Sequence, residues 1–209
     1  MTAPATLDRR QFADELLALG PDAPTLCEGW TARDLAAHIV LRDRRPDAMA
    51  GVLIPAFSGH TEKVQDKIAA KDWDELVALV REPPKLSPSR VEKLDRLSNT
   101  HEFFVHLEDL RRAQPGWEPR ELDDDHLTDI RASLGRMAKP LARKVPVGIT
   151  LEPETGDPIV AKKAEPMVTV RGPVGELMLF VFGRQDHARV ALEGDPDAIE
   201  TARTASFGL

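Results

Sequence analysis

The chain reads as an α+β protein in two parts, a helical bundle over residues 1–145 and a small α+β domain over residues 146–209. Three observations predict this. Apolar residues recur at helical spacing from Leu7 to Leu141, interrupted by loops that carry proline and glycine. Near Val145 the pattern changes to short alternating runs separated by turn residues. The length of 209 residues supports one large core, or a medium one with a small companion.

Each element has its own local reason. Leu7, Phe12, Leu16, Leu17 and Leu19 form a first apolar stripe, which Gly20-Pro21 ends. After a loop from Asp22 to Gly29, Thr31 is placed as an N-cap. Asp34 follows three residues on as a capping box, and Trp30 precedes as a staple against Leu35. Pro46, Pro55 and Gly59 break the next stretch. Helix resumes over Glu62 to Ala70 and again after Asp72, with Trp73, Leu76, Val77, Leu79 and Val80 directed inward, until Pro83-Pro84. Ser89 starts a long helix with Val91, Leu94, Leu97, His101, Val105 and Leu110 near one side, ending by Pro115-Gly116. Asp123 or Asp125 starts a fourth, with Leu127, Ile130, Leu134, Met137 and Leu141 at helical spacing. Long helices with apolar stripes imply a bundle.

Beyond Val145, Val147 to Leu151 alternates as a strand. Thr155-Gly156-Asp157-Pro158 turns, and Ile159 to Lys162 returns as a hairpin. Met167 to Arg171 is a third strand, Val174 to Phe182 an apolar helix closed by Gly183, and Arg189 to Glu193 a fourth strand. Asp195-Pro196 caps and opens a last helix. A unit of about 65 residues is marginally stable alone and is expected to dock on the bundle.

Composition excludes several classes of function. Charged residues make up 30% and hydrophobic ones 42%, the balance of a soluble globular protein. The formal net charge of −7 argues against nucleic acid or an anionic membrane as the main partner, since both select a basic face. No apolar run reaches the length of a membrane span, and the N-terminus lacks a signal-peptide pattern, so a cytoplasmic protein is expected. The single cysteine, Cys27, rules out an intramolecular disulfide and is read as a small packed side chain.

The chemistry concentrates in Thr100-His101-Glu102-Phe103-Phe104-Val105-His106. Glu102 and His106 are four residues apart, so a helix stacks them on one face. A carboxylate and an imidazole so placed can share a metal ion, and His38 on the second helix is the best third donor. Two histidines and one glutamate leave room for water or substrate. The same spacing also describes an ordinary polar pair on a helix surface. His38, beside Leu35, Ile39 and Arg42, also fits a core histidine with one hydrogen-bond partner. Asp109 and Asp34 can each orient a ligand imidazole, but surface ion pairing is the favoured reading of both. His101 lies about 100° around the helix from Glu102 and is read as packing or as a side chain that supports a ligand. His60 and His187 have no assigned role, and His126 is explained by the helix start at Asp123-Asp124-Asp125.

The segment Pro24-Thr25-Leu26-Cys27-Glu28-Gly29-Trp30-Thr31-Ala32-Arg33-Asp34-Leu35-Ala36-Ala37-His38 resembles the GW-x-x-x-DL-x-x-H segment of the mycothiol-dependent maleylpyruvate isomerase group. That group lies within the DinB-like superfamily of metal-binding four-helix bundles, and Glu102-x-x-x-His106 looks like its second motif. The C-terminal part, with Gly183-Arg184 after an apolar helix and Val190 to Asp195 near the end, is similar to the small sterol-carrier-like domain behind such bundles. The resemblance implies a divalent metal, most often zinc, held by His38, Glu102 and His106. It implies a low-molecular-weight thiol such as mycothiol, an electrophilic small-molecule substrate, and isomerase or transferase chemistry. It also implies an arginine of the small domain at the site, with Arg184 the nearest match and Arg171 and Arg189 the alternatives. The same fold hosts proteins without a known reaction, so a metal-containing ligand- or partner-binding protein without turnover is the second reading.

Overall fold

A computed structural model describes residues 3–48, 58–85, 87 and 90–208. Pro55 and Ser89, expected as a helix break and a helix start, lie outside the described residues. The chain divides into two compact units, 1–120 and 121–209.

The first unit is helical. Its helices are α1 (Pro4–Leu19), α2 (Ala32–Arg44), α3 (Ser58–Ala69), α4 (Trp73–Arg81) and α5 (Glu92–Arg112). Local signals set their ends. Gly20 ends α1 at φ 86°, a backbone state that favours glycine. At the start of α2, the Asp34 carboxylate accepts from the Thr31 amide at 2.9 Å and from its hydroxyl at 2.8 Å, the expected capping interaction. The Asp72 carboxylate caps α4 through the amides of Asp74 and Glu75. Helix α3 begins at Ser58, one turn before the expected Glu62.

Which face turns inward differs from the apolar stripes. In α1, Leu7, Leu17 and Leu19 are exposed, while Phe12, Ala13 and Leu16 pack with Asp8 and Arg9. At the start of α5, the N-cap Val91 and then Leu94 and Leu97 are exposed. Val105 and Leu110 are buried as expected, together with Asp95, Asn99, Thr100, Phe103, Leu107, Glu108 and Asp109. Ion pairing makes that burial tolerable. Glu108, 1% exposed, takes the Arg112 Nε at 2.6 Å, the Arg120 Nε at 2.7 Å and the Arg111 Nη1 at 3.1 Å. Arg120 reaches on to Asp8 of α1 at 2.7 Å. Arg9 of α1 pairs with Asp43 of α2 at 2.6 Å, donates to the Val80 carbonyl of α4, and lies 4.1 Å above the Phe103 ring of α5.

The second unit contains α6 (Asp124–Leu141), β1 (Gly148–Pro153), β2 (Ile159–Lys162), β3 (Met167–Gly172), α7 (Val174–Val181), β4 (Ala191–Glu193) and α8 (Pro196–Thr204). The sheet order is β2-β1-β3-β4, with β1 and β3 parallel and the outer pairings antiparallel. The expected hairpin β1-β2 is present, and the last strand is shorter than the expected Arg189–Glu193. Every residue of α7 is buried, as its composition requires. The class is α+β, helical at the N-terminal end and mixed at the C-terminal end, as the sequence predicts. Helix α6 was expected as the fourth helix of the bundle, with a boundary near residue 145. It packs against α7 and β2, and Arg131 donates to the carbonyls of Thr155 and Asp157, so the compact units divide at 120/121.

Replacing Glu108 by alanine leaves Arg112 and Arg120 buried without their carboxylate. The expected loss of stability is about 3–5 kcal/mol, read by urea unfolding. A loss below about 1 kcal/mol, the range of an exposed pair, would show that the buried network contributes little.

Candidate metal centre

Helix α5 presents Glu102 and His106 one above the other, as the spacing requires, with Glu102 Oε2 3.4 Å from His106 Nε2. Helix α2 brings His38 to them. Its ring centroid lies 5.3 Å from that of His106, at an interplanar angle of 72°. One donor atom from each of His38, Glu102 and His106 falls within 4.8 Å of the others. Donors bound about 2.1 Å from one ion sit about 3.3 Å apart, so a small contraction closes this set.

The surroundings order the three side chains. Trp30, in the loop before α2, flanks His38 with ring centroids 5.3 Å apart. Arg42, one turn beyond His38 on the same face, places Nε 3.4 Å from Glu102 Oε1. The same guanidinium donates to the Asn99 side-chain oxygen and to the Ser98 carbonyl, each at 2.6 Å. Asn99 in turn donates to Asp95 at 2.6 Å. Beneath His106, Asp109 is 0% exposed, and its Oδ2 lies 3.0 Å from His106 Nδ1. Cys27 donates its thiol to the same oxygen at 3.3 Å.

The electrostatics separate the two imidazoles. Burial, followed by the neighbouring His106, lowers His38 to about 4 despite the opposing pull of Glu102, so it is neutral at pH 7 with a lone pair to offer. Burial pushes Glu102 upward, but the hydrogen bond to His106 and the charges of Arg42 and His106 outweigh it and hold the carboxyl well below its usual range. Burial pushes His106 downward, and its hydrogen bonds with Asp109, Cys27 and Glu102 override this and raise it well above 6.5. A neutral imidazole, a carboxylate and a second imidazole whose proton a cation can replace are the donor chemistry of a His₂Glu centre.

A cavity of about 520 Å³ opens beside His38, within the range that small ligands occupy. Trp30, Asp34, His38, Thr61, Glu62 and Gln65 line it. Its walls combine one aromatic face with hydrogen-bonding groups.

Several sequence expectations resolve here. Asp34 serves the α2 cap, where it holds Thr31. Asp109 was read as a surface ion-pair partner. It is buried against His106 because α5 faces inward at this level, which corrects that reading. Cys27 is more than packing, since its thiol reaches that carboxylate. His101 Nε2 is 4.0 Å from Glu102 Oε1 but stands outside the donor group. His60 is exposed near Asp47, and His126 bonds to the Asp123 cap of α6. Arg42 was missed as a site residue, although its position four residues after His38 was a usable signal. In the second unit, Arg184 donates from Nη1 to the carbonyl of Phe182, the C-cap residue of α7. Arg171 pairs with Glu152 at 2.9 Å and Glu193 at 3.3 Å across the sheet. The backbone amide of Arg189 donates to Glu176.

Residues 5–91 match the family model described as the mycothiol maleylpyruvate isomerase N-terminal domain. The match includes His38 and stops short of Glu102 and His106. No curated protein matches the chain in sequence. Two solved structures share the fold. A mycothiol-dependent maleylpyruvate isomerase superposes with a TM-score of 0.59, and a histidine-to-alanine mutant of it with 0.61. Each is 16% identical to this chain, with 90% of both chains covered. The segment from Gly29-Trp30 to His38 lies within the residues that match the family model, and the two solved structures share the fold.

The Arg42 contact joins α2 to α5 next to the donors. A double-mutant cycle of Arg42→Ala and Asn99→Ala should show a coupling of about 0.5–3 kcal/mol in unfolding free energy. Additive losses would mean that this contact does not hold the two helices together.

Proposed function

We propose that the protein is a metal-dependent enzyme that uses a low-molecular-weight thiol, of the mycothiol type, in an isomerisation or transfer on a small electrophile. The observation that carries this is the convergence of His38, Glu102 and His106 from two helices. Two nitrogens and one carboxylate oxygen suit zinc, and three protein ligands leave a coordination position open. When bound there, zinc supplies the charge that keeps a thiol in its nucleophilic thiolate form at neutral pH. The solved relatives are named for mycothiol and maleylpyruvate, which makes these the first molecules to try.

The chain's own groups have distinct tasks. His38 offers its lone pair because burial keeps it neutral. Glu102 brings negative charge, and Arg42 holds it in place. Trp30 and the α3 residues Thr61, Glu62 and Gln65 give the cavity one stacking face and a row of polar partners for a hydroxyl-bearing thiol. Arg184 is the proposed catalytic arginine, holding a carboxylate of thiol or substrate through a bidentate pair. Among the described residues no helix is long and apolar enough to cross a membrane. The cytoplasm, where small thiols stay reduced, is the proposed location.

Purified protein should bind about one zinc per chain. His38→Ala, Glu102→Ala and His106→Ala should each lower occupancy sharply in elemental analysis, because two ligands do not retain the ion. Zinc-loaded protein given mycothiol should consume maleylpyruvate, and His106→Ala should lose that activity. Full zinc retention in all three variants would end the metal reading. Zinc and thiol binding with no turnover across a panel of electrophiles would favour a binding protein instead.

Arg184 is tested in zinc-loaded protein. As an anion-holding residue, Arg184→Ala and Arg184→Lys should both weaken thiol binding or turnover with zinc content unchanged. As a cap on α7 alone, lysine should restore nearly everything, and alanine should cost about 0.3–1 kcal/mol of stability. That result would remove Arg184 from the site.

A further inference from the structure

We propose that Asp109 is the positioning residue for His106, and that Cys27 secures Asp109 in that role. The inference rests on the reading of His38, Glu102 and His106 as a metal centre. It gives roles to two side chains behind that centre that the sequence favoured as a surface charge, Asp109, and a packed thiol, Cys27.

Asp109 follows His106 by three residues on α5, close to one helical turn, so its carboxylate lies against the ring. Its Oδ2 is 3.0 Å from His106 Nδ1, and the residue is 0% exposed. An imidazole has two ring nitrogens, and the partner of one decides the role of the other. A buried carboxylate at Nδ1 takes the N–H of that nitrogen. The ring is then set with Nε2 toward Glu102, 3.4 Å away. Without that acceptor the ring loses both its orientation and its preference of tautomer. Either loss turns an N–H, rather than a lone pair, toward the other donors.

A second observation comes from a different part of the chain. The loop before α2 grips Asp109 twice. The Leu26 amide donates to the Asp109 carbonyl at 3.0 Å, and the Cys27 thiol donates to its Oδ2 at 3.3 Å. The loop is itself braced, since Thr25 Oγ1 accepts from the Cys27 amide at 3.2 Å and donates to the Trp30 carbonyl at 2.8 Å. Trp30 then packs against His38. One short segment therefore holds both imidazoles, His38 through Trp30 and His106 through Cys27 and Asp109. Cys27, His106 and Asp109 also place donor atoms within 4.8 Å of one another. A direct ligand role for the thiol is the competing account, and the choice of variants separates the two.

The experiment measures zinc affinity of metal-stripped full-length protein against a chromophoric chelator, with the urea stability of each stripped variant measured separately. Asp109→Ala should weaken zinc about 10–100-fold, the range for loss of an outer partner of a ligand histidine. Asp109→Asn, which keeps size and is the safer variant to fold, should weaken it by about tenfold. Cys27→Ser retains a hydroxyl donor and should bind zinc like the parent, whereas Cys27→Val, which cannot donate, should bind several-fold more weakly. Cobalt-loaded Asp109→Asn should show a shifted visible spectrum, which a stability defect alone does not produce. Parent affinity in folded Asp109→Asn with an unchanged cobalt spectrum would overturn the proposal. Loss of zinc in Cys27→Ser as severe as in His106→Ala would overturn it in favour of a thiolate ligand. If the parent binds zinc and His106→Ala does not, failure of the Asp109 variants to respond removes only this inference. If the parent binds no zinc, the metal reading falls and takes this inference with it.

Discussion

The helical unit depends on one constraint: α5 is buried along much of its length while carrying charged and polar side chains inward, and each of these requires a partner. Asp95, Asn99, Glu108 and Asp109 are all nearly inaccessible on this one helix. A buried carboxylate without a partner costs several kcal/mol, so only arrangements that pair all of them are open to the fold. Glu108 draws Arg112 and Arg120 to itself, and Arg120 extends the network to Asp8 on α1. Arg9 ties α1 to α2 through Asp43. These pairs decide which sides of α1, α2 and α5 meet, a choice that leucine stripes alone leave open.

The candidate metal centre is a consequence of that packing. Once α2 lies beside α5, His38 stands over His106, and Arg42 reaches Ser98, Asn99 and Glu102 one turn away. The donors are thereby supported from two directions. Arg42 steadies the carboxylate from α2, and Asp109 meets His106 from below on its own helix. Rotational freedom removed from ligand side chains in advance is freedom that an ion does not have to remove on binding. The cavity beside His38 adds space for a small molecule next to that one side chain.

The charge arrangement around the centre also has a direction. The centre holds one neutral imidazole, one imidazole that favours its proton, and one carboxylate that stays ionised. Arg42 adds a positive charge beside Glu102. Replacing the His106 proton with a divalent cation keeps the sign of the local charge and changes its coordination chemistry. The same groups can therefore be stable without an ion and ready to hold one.

The sequence alone determined the α+β class, the succession of elements and the placing of Glu102 and His106 on one helix face. Each rests on short-range physics: helical period, helix caps at Thr31 and Asp72, the turn at Thr155 to Pro158, and the four-residue step from Glu102 to His106. Local spacing places two side chains on one face because the helix geometry is the same in every context. Tertiary structure alone decided which face of α1 and α5 turns inward, because buried ion pairs outweighed the exposed leucines at Leu7, Leu17, Leu94 and Leu97. It packed α6 against α7 and β2, through contacts far apart in sequence. It also turned Asp109 from a plausible surface charge into the buried partner of His106 and brought Cys27 to it across 82 positions of the chain. No local pattern encodes a contact of that separation, and only the packed chain brings its two ends together.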